Sequence, residues 1–167
     1  RGLGDVYKRQ ASLGAAHVCV DRARTAVPVS GSALRADVHG LRGFLEPLVY
    51  AHFVRRVVIL GAESTGKSTL TRALAEALGT AWVREYGRDV YERENGALGP
   101  AHFLEIARGH RALEDEAITA PGVHRWVFSD TDAATTLMWS YLLTGTARPE
   151  LHALADACRG RYAHTFL

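Results

Sequence analysis

The stretch LGAESTGKSTL, residues 60–70, holds Gly61, Gly66, Lys67 and Ser68 in the spacing Gly-x-x-x-x-Gly-Lys-Ser/Thr. Those types at that spacing point to phosphate binding. Glycines let a backbone approach a polyphosphate closely, while successive N–H groups and the positive end of the following helix face its oxygens. The lysine reaches the β- and γ-phosphates of a nucleoside triphosphate, and the hydroxyl after it ligates Mg²⁺. The expected cradle comprises Gly61, Ser64, Thr65, Gly66, Lys67, Ser68 and Thr69. Each charge-assisted hydrogen bond of this kind contributes about 1.5–3 kcal/mol. A glycine-rich turn that binds nothing is the plainer alternative.

Two further groups could do chemistry with such a loop. In TAWVREYGRDVYE, Glu85, Tyr86 and Arg88 follow a short apolar run through Trp82 and Val83. A carboxylate at a strand's C-terminal end stands where ligands bind in doubly wound sheets, and it can accept the proton of an attacking hydroxyl. Arg88 can neutralise charge on the transferring group. The plainer reading of Glu85 and Arg88 is an ion pair at a helix start. In HRWVFSDTDAATT, an apolar strand over Trp126–Phe128 runs into Asp130, as a Mg²⁺ shell beside a phosphate loop requires. Asp132 two residues later suits a helix cap.

The elements needed to position these residues are legible around them. RRVVIL before the loop is β-branched and apolar, as a buried parallel strand is. STLTRALAEALG after it places Leu70, Leu74 and Leu78 on one helix face, with Gly79 to end the helix. Residues 101–119 read as a long helix opened by Pro100, with Phe103, Ile106, Ala107 and Leu113 on its buried side. Glu114, Asp115 and Glu116 are expected on its solvated face, and His102 and His110 as structural or surface histidines. Gly145 closes the helix after Asp132, a further helix starts near Glu150, and a strand begins at Thr165.

Upstream, VPVSGSALR sets Ser30, Ser32 and Arg35 after a short apolar strand. Ser32 suits the helix cap, and a hydroxyl cap with an arginine one turn on can hold a triphosphate. Serine caps open many helices, so the pattern alone is a weak signal.

With GLRGFLEPLVYAHFVRRV and the phosphate loop behind it, this Ser-x-Ser-x-x-Arg pattern resembles the junction in the bifunctional nicotinamide-nucleotide adenylyltransferase and ribosylnicotinamide kinase family, the NadR type. The most specific stretches are GAESTGKSTL, WVREYGRDVYE, FLEIARGHRALEDEA and FSDTDAATT. The resemblance covers most of residues 11–167. It implies a P-loop NTPase, a nucleoside-kinase-like three-layer α/β core with a parallel sheet. The C-terminal piece of a nucleotidyltransferase α/β domain would precede it. Residues 11–55 would then end the adenylyltransferase, with Ser30, Ser32 and Arg35 as its phosphate site, and residues 56–167 would be the kinase up to its lid. The implied reaction is MgATP-dependent phosphorylation of nicotinamide riboside to nicotinamide mononucleotide. Lys67, Glu85 and Asp130 would be catalytic, Ser68 and Asp130 would hold Mg²⁺, and Glu85, Tyr86, Arg88 and Asp132 would meet the substrate. A kinase for another nucleoside or nucleoside monophosphate is the alternative within enzymes. A module that senses ATP or NAD without turnover is the alternative outside them.

Residues 1–10, RGLGDVYKRQ, match no targeting signal. DVYKRQ back-translates to GAT GTG TAT AAG AGA CAG, which resembles a transposase end used in sequencing libraries, so this segment reads as adapter-derived. Composition sets the remaining bounds. The chain has 167 residues, 47% hydrophobic and 23% charged, enough for a packed core. No apolar run approaches membrane-spanning length. Net charge is only +2, which indicates no nucleic-acid surface. Cys19 and Cys158 have no metal or redox spacing and read as reduced thiols of a cytoplasmic protein.

Overall fold

The computed structural model describes residues 10, 12–15, 21 and 23–167. Cys19 and most of the adapter-like segment lie outside them. The chain divides into two compact units, Arg1–Asp37 and Val38–Leu167.

In the first unit Asp21 accepts hydrogen bonds from the backbone N–H groups of Thr25, Ala26 and Val27. Helix α1, Gly31–Ala36, begins at Ser30, whose Oγ accepts from the Ala33 N–H at 3.0 Å. Ser30 therefore caps this helix, where Ser32 was expected. Ser32 lies inside the first turn, and its hydroxyl accepts from the Arg35 guanidinium at 3.4 Å. Among the described residues the run VPV before the cap is irregular and not a strand, and the Val29 N–H closes on the Val27 carbonyl at 2.8 Å.

The second unit opens with a short 3₁₀ turn, Arg42–Phe44, and helix α2, Pro47–Ala51. There follow β1 (Arg55–Ile59), α3 (Lys67–Ala77), β2 (Ala81–Val83), α4 (Gly87–Arg93), α5 (Pro100–Ala117), β3 (Trp126–Asp130), α6 (Ala133–Thr144), α7 (Pro149–Asp156) and β4 (His164–Phe166). The sheet order is β2-β3-β1-β4, and every pair is parallel. Strand periodicity explains the layers. Val127 and Phe128 point to opposite faces. Val127 packs in a cluster with Leu113 and Ala117 of α5, and Phe128 packs with Ala75 of α3. The sheet is thus covered by α5 on one side and α3 on the other. Residues 38–54, expected to close the first domain, contribute to this core: Tyr50 and Val54 are buried with Val83, Val123 and Val127.

Two expectations about buried faces are corrected. On α3 the buried residues are Thr71 and Ala75, while Leu70 and Leu78 are each 49% exposed. The small pair lets the helix approach the sheet closely. The Thr71 hydroxyl is satisfied by the Lys67 carbonyl at 2.8 Å, so its burial leaves no unpaired group. On α5, Glu114 is not solvated but 1% exposed. It accepts from Ser129 Oγ at 2.6 Å, Tyr162 Oη at 2.9 Å and Arg161 Nε at 2.8 Å. A buried carboxylate is costly unless a cation and hydrogen bonds compensate it, and this one has both. Arg161 also bonds Asp115 at 2.8 Å, and Arg56 reaches the same Asp115 oxygen at 3.1 Å.

Candidate functional site

The register of β1 against β3 assembles the site. Ile59 pairs with Asp130, so the strand that feeds the phosphate loop ends beside the strand that ends in aspartate. The Thr131 N–H then closes on the Ile59 carbonyl at 3.1 Å. Thr131 has φ +74°, a conformation that costs a β-branched residue about 1–3 kcal/mol and persists where its surroundings enforce it.

Between β1 and α3 the loop carries Ser64 at φ +59° and Gly66 at φ +90°, and Gly66 is the residue at which α3 begins. Thr65 Oγ1 and Lys67 Nζ both donate to the Ala62 carbonyl, at 2.8 and 2.6 Å. Gly61, Ser64, Gly66, Lys67, Ser68 and Thr69 line a polar cavity of about 590 Å³. Thr65 braces the loop instead of lining it.

A second cavity, of about 220 Å³, opens between α4, α5 and α6. Glu85, Tyr86 and Arg88 line it, as do Tyr91, Phe103, Ile106, His110 and Trp139. Glu63, Glu85, Arg88, Thr131 and Trp139 belong to both cavities and mark their junction. A phosphoryl donor in the larger cavity and an acceptor in the smaller one would meet at these five residues.

The electrostatics of the junction are specific. Burial raises the Glu85 carboxyl above its ordinary range, Asp130 adds to the rise, and Lys67 and Arg88 oppose it. Neither Glu85 nor Arg88 closes an ion pair among the described residues; the pair at the start of α4 is Arg84 with Asp89. Asp130 is 1% exposed, and among the described residues both its carboxylate oxygens lack a hydrogen-bond partner. A buried carboxylate with two bare oxygens fits a hard divalent cation bound through oxygen. Asp132 is buried and caps α6, its Oδ1 accepting from the Thr135 N–H at 2.8 Å. Neither it nor Asp130 lines either cavity.

Sequence reasoning missed Glu63, Thr131, Trp139 and His110. Glu63 stood inside the quoted phosphate loop, and its neighbours already suggested exposure to the ligand. Thr131, between two aspartates, carried a weaker signal. Trp139 and His110 reach the cavity only through the crossing of α5 and α6.

A family model described as an AAA domain, AAA_28, matches residues 56–167. Over 151 residues the chain is 36% identical to the trifunctional NAD biosynthesis/regulator protein NadR of Escherichia coli (strain K12), covering 88% of this chain and 36% of that protein. The protein of the same name from Salmonella typhimurium (strain LT2) matches at 36% identity over the same shares. The chain thus spans about a third of the length of these relatives. A crystal structure of NadR protein in complex with NR is similar at TM-score 0.66 and 24% identity, over 83% of this chain and 38% of that one. NadR protein in complex with NAD and AMP-PNP is similar at TM-score 0.65 and 24% identity, over 84% and 40%. At that identity the likeness establishes the shared fold.

Proposed function

The chain belongs to the AAA domain family of P-loop proteins, and from that premise we propose that it transfers the γ-phosphoryl group of MgATP to nicotinamide riboside. The product is nicotinamide mononucleotide, and the reaction belongs to NAD biosynthesis, the process named for its relatives. The observation that carries this reading is the junction of the two cavities at Glu63, Glu85, Arg88, Thr131 and Trp139.

The residues divide the work as follows. Gly61, Ser64, Gly66, Lys67, Ser68 and Thr69 hold the phosphates, with Thr65 bracing the loop, and Lys67 exchanges the Ala62 carbonyl for a phosphate oxygen. Glu85 accepts the proton of the ribose 5′-hydroxyl as that oxygen attacks phosphorus. Its raised pKa favours this role, because a base is most effective with a pKa near the working pH. Arg88 faces the same junction and offsets charge on the transferring group. Ser68 and Asp130 would hold Mg²⁺, which when bound neutralises negative charge building up on the phosphates. The aromatic wall of Tyr86, Tyr91, Phe103 and Trp139, with Glu63 and Glu85 at its mouth, suits the cationic pyridinium ring of nicotinamide riboside. Asp132 orients α6 from behind the site as its cap, a role its burial favours over substrate contact.

We assign residues 11–55 by sequence to the end of an adenylyltransferase domain, with Ser30, Ser32 and Arg35 as its phosphate site and residues 38–54 packed into the core of the following unit, and residues 56–167 to the kinase, in a cytoplasmic protein. Among the described residues no helix is long and apolar enough to cross a membrane.

The test is a mass-spectrometric assay for nicotinamide mononucleotide, starting from nicotinamide riboside and MgATP, with thymidine as a competing acceptor. Product formation supports the reading. Phosphorylation of thymidine alone would reassign the acceptor, and ATP binding without turnover of either would indicate a sensor.

A further inference from the structure

Among the described residues neither ring nitrogen of His110 has a hydrogen-bond partner, although the residue is only 3% exposed. Leaving such a group unpaired in the interior is unfavourable, so its position asks for a reason. His110 follows Phe103 by seven residues and Ile106 by four on α5, one helix face, and all three line the 220 Å³ cavity. Glu114, one turn further on, does not satisfy the ring. Its Oε1 is 4.0 Å from His110 Nε2 and already accepts from Ser129 and Tyr162. The Thr131 backbone adjoins the ring without closing a hydrogen bond. Burial holds the imidazole below its ordinary pKa, so at pH 7 it is neutral, with one N–H donor and one bare acceptor nitrogen.

We propose that His110 determines acceptor specificity by hydrogen-bonding an uncharged polar group of the nucleoside held in this cavity. The inference rests on the reading of the cavity as the nucleoside site. Phe103 and Ile106 on the same helix face offer no hydrogen bonds, so a ligand lacking such a group would leave the imidazole unpaired. That asymmetry is the strongest form of discrimination a buried pocket has.

The test compares His110→Phe, which fills the space without polar atoms, with His110→Gln, which keeps a donor and an acceptor. Nicotinamide riboside and ATP affinities are titrated separately, and the ¹⁵N resonances of the His110 ring are followed in the unsubstituted chain. His110→Phe is expected to weaken nicotinamide riboside at least about tenfold with ATP affinity unchanged, and His110→Gln to stay within about threefold of the parent. The ring resonances are expected to shift on saturation with the nucleoside. Unshifted resonances in the saturated complex overturn the proposal even if His110→Phe does not fold. Equal losses in both folded variants overturn it as well, since they reveal a packing role. The two readings separate cleanly. Affinity for thymidine that depends on His110, with none for nicotinamide riboside, upholds the histidine and removes the assigned substrate. Nicotinamide riboside affinity indifferent to both variants does the opposite.

Discussion

The Tyr86 ring lies across Gly109: a Cβ on that glycine would fall 2.3 Å from Tyr86 Cε1. A glycine inside α5 weakens the helix by about 1 kcal/mol relative to alanine, and the contact explains why it is there. Tyr86 lines the smaller cavity, so the position of this ring is also the shape of the site.

Gly109→Ala should therefore displace the ring. We expect a net stability loss of about 1–3 kcal/mol in urea unfolding and weaker nucleoside binding, with ATP affinity unchanged. Unaltered nucleoside binding would show that Tyr86 does not shape the pocket.

Lys67→Ala should cut ATP affinity by about one to two powers of ten, the equivalent of one charge-assisted hydrogen bond of about 1.5–3 kcal/mol. A calorimetric titration reads this directly. Because among the described residues Lys67 Nζ bonds only the exposed loop carbonyl of Ala62, thermal stability without nucleotide should hardly move.

Glu85→Gln should bind both substrates normally and lose about 10²–10⁴-fold in turnover. Its effect on stability has the opposite sign. The folded-state pKa of Glu85 lies above the unfolded value, so this group favours folding fully below the unfolded pKa and loses that contribution as pH rises through the folded one. The glutamine variant should melt higher than the parent at pH 8, and the gap should close toward pH 4. Equal melting temperatures across that range would argue against the burial that raises this carboxyl.

Asp130→Asn removes a buried negative charge whose oxygens have no partner among the described residues. The variant should be at least as stable as the parent without metal, and the stabilisation that MgATP gives over ATP alone should be largely lost. Differential scanning fluorimetry with and without Mg²⁺ distinguishes this from a structural role, in which the variant would simply melt lower.

Glu114→Ala should destabilise by about 3–5 kcal/mol, because it leaves the Arg161 guanidinium without its buried partner. A second change, Arg161→Met, should recover part of that loss, and urea unfolding of the two singles and the double measures the coupling.

What could be read from the sequence was what adjacent residues decide together. The glycine-rich loop, the strand before it and the strand that ends in Asp130 each occupy one continuous stretch, and the two strands form where expected. Gly145 ends α6 at φ +71° for the same local reason. Glu114 was misread because its partners lie 15, 47 and 48 residues downstream, beyond any periodic pattern. Its neighbours Asp115 and Glu116 made a solvated face the natural expectation. The leucines of α3 were misread because periodicity marks an apolar stripe without saying how near the sheet comes. The near approach belongs to Thr71 and Ala75. Ser30 and Ser32 were confused because either serine fits the cap pattern, and only the backbone decides where the helix begins.

The Glu114 cluster also bears on the order in which this chain is made. Its carboxylate and Ser129 have both left the ribosome more than thirty residues before Arg161 and Tyr162 follow. Until then, docking α5 onto β3 would bury a charge with no cation to meet it. The helix that carries His110 and Gly109 thus gains its final seat only after residues near the start of β4 have been synthesised, so the acceptor cavity is completed by residues that emerge well after most of its lining.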